Sequence, residues 1–244
     1  MKPANAFTLD GRRILITGAA AGIGAETARV CASLGAEVIL VDRALAEPVA
    51  AEIRTDGGRA SAVVADAADR GAVERLARET GPVDGLVLNA AICPFDDWME
   101  PDWDATFDAV MRVNLLGPIH AARAFLPGMM ERGRGRIILV GSVAGRVGGL
   151  IASPHYVASK GGVHALVKWL AKRGAPKGVL VNGVAPASVV TPMMTGQPVN
   201  LANVPVGRMA EPREVAWPIA FLCSDAASYI CGTVLDVNGG VYMG

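Results

Sequence analysis

The sequence predicts one α/β domain over residues 1–244, built as a doubly wound parallel sheet of about seven strands with helices on both faces. Three observations lead there. Short runs rich in β-branched residues alternate with longer helical patterns from end to end. Most of those runs are continuously apolar, as strands covered on both faces must be. A chain of 244 residues also buries a full core without having to divide. The strands fall at 13–17, 37–41, 60–64, 85–88, 136–140, 179–184 and 234–237, and helices begin near Gly22, Leu45, Arg70, Trp103, Tyr156 and Pro212. No linker, internal repeat or low-complexity segment interrupts this alternation.

Composition narrows the partners. Lys plus Arg and Asp plus Glu are both 23, so no long-range field favours nucleic acid or an anionic membrane, and a small molecule is expected. The basic stretch at 131–136 alternates with Gly and reads as a solvated turn. The longest uncharged run, 178–207, carries Pro186, Pro192, Pro198 and Pro205 and could not satisfy its own backbone in lipid. No membrane span is expected. The first residues, MKPANAFTLDGRR, hold no apolar signal core, which predicts a cytoplasmic protein. Cys31, Cys93, Cys223 and Cys231 are scattered without a CxxC pair and read as small core residues, with neither metal nor disulfide expected. The segment 103–130 is apolar around most of its circumference, more than one sheet face can cover, so part of it is expected to meet another subunit.

Strand 13–17 runs directly into TGAAAGIG and then a helix. Gly18 suits a tight turn, Gly22 a close approach of backbone to a pyrophosphate, and Gly24 tight packing of the helix, whose N-terminus offers free N–H groups. That is the Rossmann-type signature of a dinucleotide site. Asp42 ends the second strand, where a carboxylate accepts hydrogen bonds from the adenosine ribose and repels a 2′-phosphate. Ala21, inside the loop, is not basic. NAD is therefore expected over NADP, with Arg43 the residue that argues the other way. Asp66, after the third strand, is either a contact to the adenine amino group or a helix N-cap.

Tyr156 and Lys160 are one helical turn apart in YVASK and share a helix face. A free phenol is a poor base at neutral pH, and a neighbouring ammonium favours the phenolate, so the pair predicts a Tyr acid/base working on an alcohol or carbonyl. Ser142 follows the strand 136–140 at the carboxyl edge of the sheet, where its hydroxyl reaches the reacting oxygen. A serine hydrolase is disfavoured because no GxSxG elbow surrounds Ser142. His155 points away from the Tyr–Lys face and reads as lining or packing. A lid at about 187–210 brings Met193, Met194, Val199 and Leu201 over the site, with Leu150 and Ile151 from another side and Pro94 and Phe95 as a wall. No Arg or Lys is available there, which predicts an apolar secondary alcohol or ketone as substrate.

With TGAAAGIG, LNAA, Asn114, Ser142, YVASK and NGVAPASVVT in order, nearly the whole chain resembles the short-chain dehydrogenase/reductase family, and the ending CGTVLDVNGGVYMG resembles its 3-oxoacyl-[acyl-carrier-protein] reductase branch. The resemblance implies that Asn114 helps hold a relay water with Lys160 and that Lys160 also binds the nicotinamide ribose. It further implies that Val189 and Thr191 contact the carboxamide, and that Gly18, Ala21, Gly22, Ile23, Asp66, Ala67 and Asn89 complete the nucleotide contacts beside Tyr156. It implies a homotetramer as well. Two positions depart from the family pattern. Asn-Asn-Ala-Gly is Leu88, Asn89, Ala90, Ala91 here, and Pro-Gly is Pro186, Ala187, changes that bear on cofactor fit more than on chemistry. Two other functions stay open. An acyl-carrier-protein reductase would dock its carrier on Arg132, Arg134, Lys172, Arg173 and Lys177, and a non-catalytic NAD-binding scaffold would act through its surface.

Overall fold

The computed structural model describes residues 5–149 and 151–244. Strands β1 (Arg13–Thr17), β2 (Glu37–Asp42), β3 (Arg59–Val64), β4 (Gly85–Leu88), β5 (Gly135–Val140), β6 (Val179–Pro186) and β7 (Val234–Val237) form one parallel sheet in the order β3-β2-β1-β4-β5-β6-β7. The predicted doubly wound architecture is what the chain adopts. Strand order reverses between β1 and β4, and the crevice outside their carboxyl ends is where such folds take ligands.

Successive strand residues point to opposite faces, so both faces need apolar partners. Ile14, Ile16, Val38 and Leu40 pack beneath helices α1 (Gly22–Ser33) and α8 (Pro212–Cys223), with α2 (Glu47–Thr55) at the edge. Leu15, Ile39 and Val41 face the other way, onto α3 (Arg70–Thr80), α5 (Gly117–Glu131) and α7 (Pro154–Gly174). This two-sided cover is why the strands read as unbroken apolar runs.

Several elements differ from expectation. Strand β6 continues to Pro186, because pairing with β7 runs on to Pro186 and Val237. Helix α7 begins at Pro154, a residue suited to a first turn, rather than at Tyr156. A short helix α6 (Ala144–Val147) follows Ser142. The segment expected as one helix from Trp103 is two, α4 (Trp103–Met111) and α5, joined by a π-helical turn over Arg112–Leu116. Leu116 is 39% exposed there.

Of the cysteines, Cys31 and Cys223 are buried, as core residues would be, but Cys93 is half-buried and Cys231 exposed. Among the described residues no helix is long and apolar enough to cross a membrane, and no cluster of three or more His, Cys, Asp or Glu could hold a metal.

Candidate active site

The nucleotide end is assembled by β1 and β4. Thr17 Oγ1 accepts from the N–H groups of Asn89 (3.1 Å) and Ala90 (3.2 Å), while Asn89 Nδ2 donates to the carbonyls of Thr17 (3.0 Å) and Gly18 (2.9 Å). The Asn89 amide, expected at the nucleotide, is thus engaged in holding the glycine loop. Gly18 has φ +67°, and a Cβ there would lie 2.8 Å from the Ala90 Cα. Gly22 has φ +56° and faces Thr191, whose Cγ2 would be 3.1 Å from an added Cβ, so the loop and the segment after β6 converge. The first helical bond of α1 runs from the Ala25 N–H to the Ala21 carbonyl, which leaves the N–H groups of Gly22, Ile23 and Gly24 without a helical acceptor. A cradle with glycines at its closest approaches and free donors at its floor fits a dinucleotide pyrophosphate.

Asp42 is fixed at the end of β2, its Oδ2 accepting from the Ala20 N–H and its Oδ1 from the Ala44 N–H, both at 3.0 Å. Each carboxylate oxygen keeps a further lone pair for a ribose hydroxyl. Arg43 is exposed. Asp66 is not the α3 cap. That role belongs to Asp69, which accepts from the Ala72 N–H, while Asp66 closes its own turn onto the Ala68 N–H at 2.8 Å. Asp66 stays exposed at the crevice rim, and the Ala67 carbonyl beside it abuts Gly117. Val189 is buried and bridges to Ala210. Neither Ala91 nor Ala187 strains the backbone, since no described non-glycine residue has positive φ.

At the chemical end, Ser142 follows β5 and its Oγ accepts from the Ala144 N–H at 3.1 Å. Tyr156 stands in the first turn of α7, and Lys160 one turn on is buried, its Nζ donating to the Val140 carbonyl at 2.9 Å and lying 5.5 Å from the centre of the Tyr156 ring. Burial brings the Lys160 ammonium down to about 8. The expected lowering of the phenol by Lys160 does not result from the protein's own groups. Burial pushes Tyr156 well above its ordinary value, Cys93 adds to that, and only a hydrogen bond from Ser142 works the other way.

Asn114 sits in the π turn, where its Oδ1 accepts from the Ile92 N–H (2.9 Å) and its Nδ2 donates to the Ile92 carbonyl (2.9 Å) and to Ser159 Oγ (3.1 Å). Its side chain therefore pins the segment after β4 at Ile92. His155 is fully buried, stacked on Trp103 and bonded to Asp96, so it packs as expected and makes no Ser–His pair.

A cavity of about 590 Å³ opens over Ser142 and Tyr156. Phe95, Ile151, Met193, Met194 and Val199 line it as anticipated, whereas Pro94 and Leu201 do not, and Leu150 lies outside the described residues. Cys93, Val147, Ser188, Asn203 and Val241 line it without having been foreseen. No described Lys, Arg, Asp or Glu does. The segment 187–210 is tied at its base, where the Val190 N–H donates to the Ala210 carbonyl (2.9 Å) and the Ala210 N–H to that of Ser188 (3.0 Å).

A dinucleotide cradle and a Ser–Tyr–Lys set at one sheet edge are the architecture of a nucleotide-binding oxidoreductase. A family model described as enoyl-(acyl carrier protein) reductase matches residues 18–242. The chain is 41% identical to galactitol 2-dehydrogenase (L-tagatose-forming) of Cereibacter sphaeroides over 96% of each chain. It is 37% identical to a 3-oxoacyl-[acyl-carrier-protein] reductase of Vibrio cholerae serotype O1, over 97% of this chain and 100% of the other. A Beutenbergia cavernae protein, crystallised with NADP at low occupancy and described as an NAD(P)-dependent gluconate 5-dehydrogenase, superposes with a TM-score of 0.92 at 38% identity, over 97% and 98% of the two chains. The chain belongs to the short-chain dehydrogenase/reductase family, oxidoreductases that act on CH–OH groups with a nicotinamide cofactor.

Proposed function

We propose that this protein is an NAD-dependent dehydrogenase/reductase that interconverts an apolar secondary alcohol and its ketone. The observation that carries the reading is the cavity over Tyr156, large enough for a small ring or short chain and lined without a single charged side chain among the described residues. A carboxylate or phosphate would have no partner there. For the cofactor, support comes from Asp42, a fixed carboxylate where a 2′-phosphate would sit, and from the neutral Ala21.

Gly18, Ala21, Gly22 and Ile23 would hold the pyrophosphate, Asp42 the adenosine ribose, Asp66 and Ala67 the adenine, with Asn89 keeping the loop in place. Lys160 would hold the nicotinamide ribose and Val189 and Thr191 the carboxamide. Bound NAD supplies the hydride exchange and, when oxidised, a positive ring. The remaining chemistry is proton handling. Tyr156, its phenol held in the protonated form by burial, gives its proton to the carbonyl oxygen in the reductive direction, and Ser142 Oγ donates a hydrogen bond to that oxygen. In the oxidative direction the proton returns to Tyr156, for which the Lys160 ammonium, released from Val140, supplies the stabilising charge. Asn114 keeps the wall beside them in register.

The similarity to acyl-carrier-protein reductases favours a second reading, reduction of an acyl thioester. Its expected docking residues weigh against it. Arg132 and Arg134 precede β5, at the sheet edge opposite Ser142, and are engaged by the Val83 carbonyl and Asp84, while Arg173 lies over Trp169. For a non-catalytic scaffold, the Ser142, Tyr156 and Lys160 set would have no use. An apolar groove between α5 and α7, with Leu126, Met130, Leu166 and the 51% exposed Trp169, supports subunit contact and hence the homotetramer. Four free cysteines fit a reducing compartment such as the cytoplasm.

The test is a spectrophotometric panel of secondary alcohols, ketones and acetoacetyl thioesters with NAD(H) and NADP(H), run beside Tyr156→Phe. Turnover of simple ketones with NADH, lost by about 10²–10⁴-fold in the variant while dinucleotide binding persists, is the expected result. Near-normal turnover by Tyr156→Phe removes the acid/base assignment, and preference for the thioester removes the substrate assignment.

A further inference from the structure

One wall of the substrate cavity is the segment 92–96, from which Cys93 and Phe95 face the substrate space. It is tied down at both ends. At Ile92 the Asn114 amide takes both backbone groups. At Asp96 the attachment is to α7. Ser153 Oγ donates to the Asp96 carbonyl at 2.8 Å, and His155 Nε2 lies 3.0 Å and 3.2 Å from the two carboxylate oxygens.

His155 immediately precedes Tyr156. Its ring is fully buried and stacked on Trp103, with centroids 5.2 Å apart and 9° between planes. Among the described residues the other ring nitrogen, Nδ1, has no partner, and Asp96 is the one polar contact of this imidazole. Burial pushes the Asp96 carboxyl up, but the polar groups around it, the His155 ring among them, outweigh that and hold the group below its ordinary value. An ionised Asp96 only accepts, so Nε2 is the donor in this contact. A helix needing only a cap would use Ser153. Here a carboxylate from the wall meets a buried ring that has no other polar partner among the described residues.

We propose that Asp96 and His155 are a positioning pair, tying the Cys93–Phe95 wall to the helix that carries Tyr156. The gap between that wall and the phenol, and with it the size of ketone admitted, then depends on one histidine–carboxylate contact. The second half of this rests on Tyr156 being the acid/base. The first does not.

The test uses the full chain with Asp96→Ala, His155→Phe, which keeps an aromatic ring on Trp103, and His155→Gln, whose amide can replace the Nε2 donor. Iodoacetamide labelling resolved by peptide mass reads the wall directly. Cys93 is expected to label about fivefold faster in Asp96→Ala and His155→Phe and near the wild-type rate in His155→Gln, with Cys31 and Cys223 still protected. Unchanged Cys93 labelling overturns the clamp, as does equal acceleration at all the buried cysteines, which signals general loosening. Steady-state kinetics read the consequence. The ratio of kcat/KM for a four-carbon over an aryl-substituted methyl ketone should shift by about fivefold, carried by KM, in the first two variants. A uniform fall in kcat with selectivity preserved overturns the positioning role. If the wild type turns over no ketone, the functional reading fails while the labelling still judges the clamp.

Discussion

Replacing Gly24 by Ala places a methyl carbon 2.1 Å from the Gly18 carbonyl oxygen and 2.6 Å from Asn89 Nδ2. Gly24 has an ordinary helical backbone, so the cost is contact alone. Overpacking of this kind costs about 1–3 kcal/mol. Relief requires either the glycine loop or Asn89 to move, and moving Asn89 breaks its bonds to the Thr17 and Gly18 carbonyls, about 0.5–1.5 kcal/mol each. Together these give roughly 2–6 kcal/mol. In a domain of this size each kcal/mol shifts Tm by about 2–4 °C, so Gly24→Ala should melt roughly 4–24 °C below the parent. The displaced loop should also lose more than about tenfold in dinucleotide affinity, since it sets the phosphate cradle. Gly161→Ala is the matched control, because a Cβ there meets nothing within 4 Å and the residue lies inside α7. It should raise Tm by about 1–4 °C through helix propensity. Circular-dichroism melts and titration calorimetry with NAD and NADP decide the matter. A Gly24→Ala protein that melts with its parent and binds dinucleotide normally refutes the packing described for this loop.

Three further outcomes follow from the site. Burial, reinforced by Arg146, holds the His164 imidazole down at about 4, so between pH 6.5 and 4 the unfolded chain takes up a proton that the folded chain refuses. Stability should fall across that window by up to roughly 3 kcal/mol, and urea melts of His164→Gln should show a flatter slope; an unaltered slope would falsify the assignment. Lys160 carries a cost of the same sign at higher pH, because its folded value of about 8 lies below that of the unfolded chain and its charge opposes folding at neutral pH. Lys160→Met should therefore be more stable at pH 7 by about 1–3 kcal/mol, with the advantage shrinking between pH 8 and 10.5, and inactive with ketones; a destabilised variant at pH 7 contradicts the buried charge. Asp42→Ala should move the ratio of kcat/KM for NADH over NADPH toward NADPH by about 10²-fold, since a like-charge contact worth several kcal/mol is removed. A parent enzyme that already prefers NADPH shows that Arg43 outweighs Asp42.

How far the sequence reached depended on whether a property was local. Continuous apolar strands are legible because each residue must meet a helix on one face or the other. The glycine loop is legible because a strand-to-helix turn at a phosphate admits few side chains, and Tyr156 with Lys160 because helical spacing alone puts both on one face. The π turn carrying Asn114 is not legible, as nothing in Arg112–Leu116 marks it; the fit of the Asn114 amide to Ile92 across the fold goes with it. Asp66 and Asp69 look alike as caps until the turn geometry separates them.

By itself the sequence determined the sheet, its winding and the glycine loop at its edge, and it named the candidate chemical residues, all consequences of periodicity and of residue type at fixed spacing. Tertiary structure alone decided how those residues are tuned and what surrounds them. The Tyr156 phenol is set by the volume of protein that buries it more than by the charge one turn away. The cavity brings Cys93, Asn203 and Val241 together from distant parts of the chain, and the Asp96–His155 contact links its wall to α7. Desolvation and enclosure are sums over atoms that the chain assembles only on folding, and no run of residues carries them in advance.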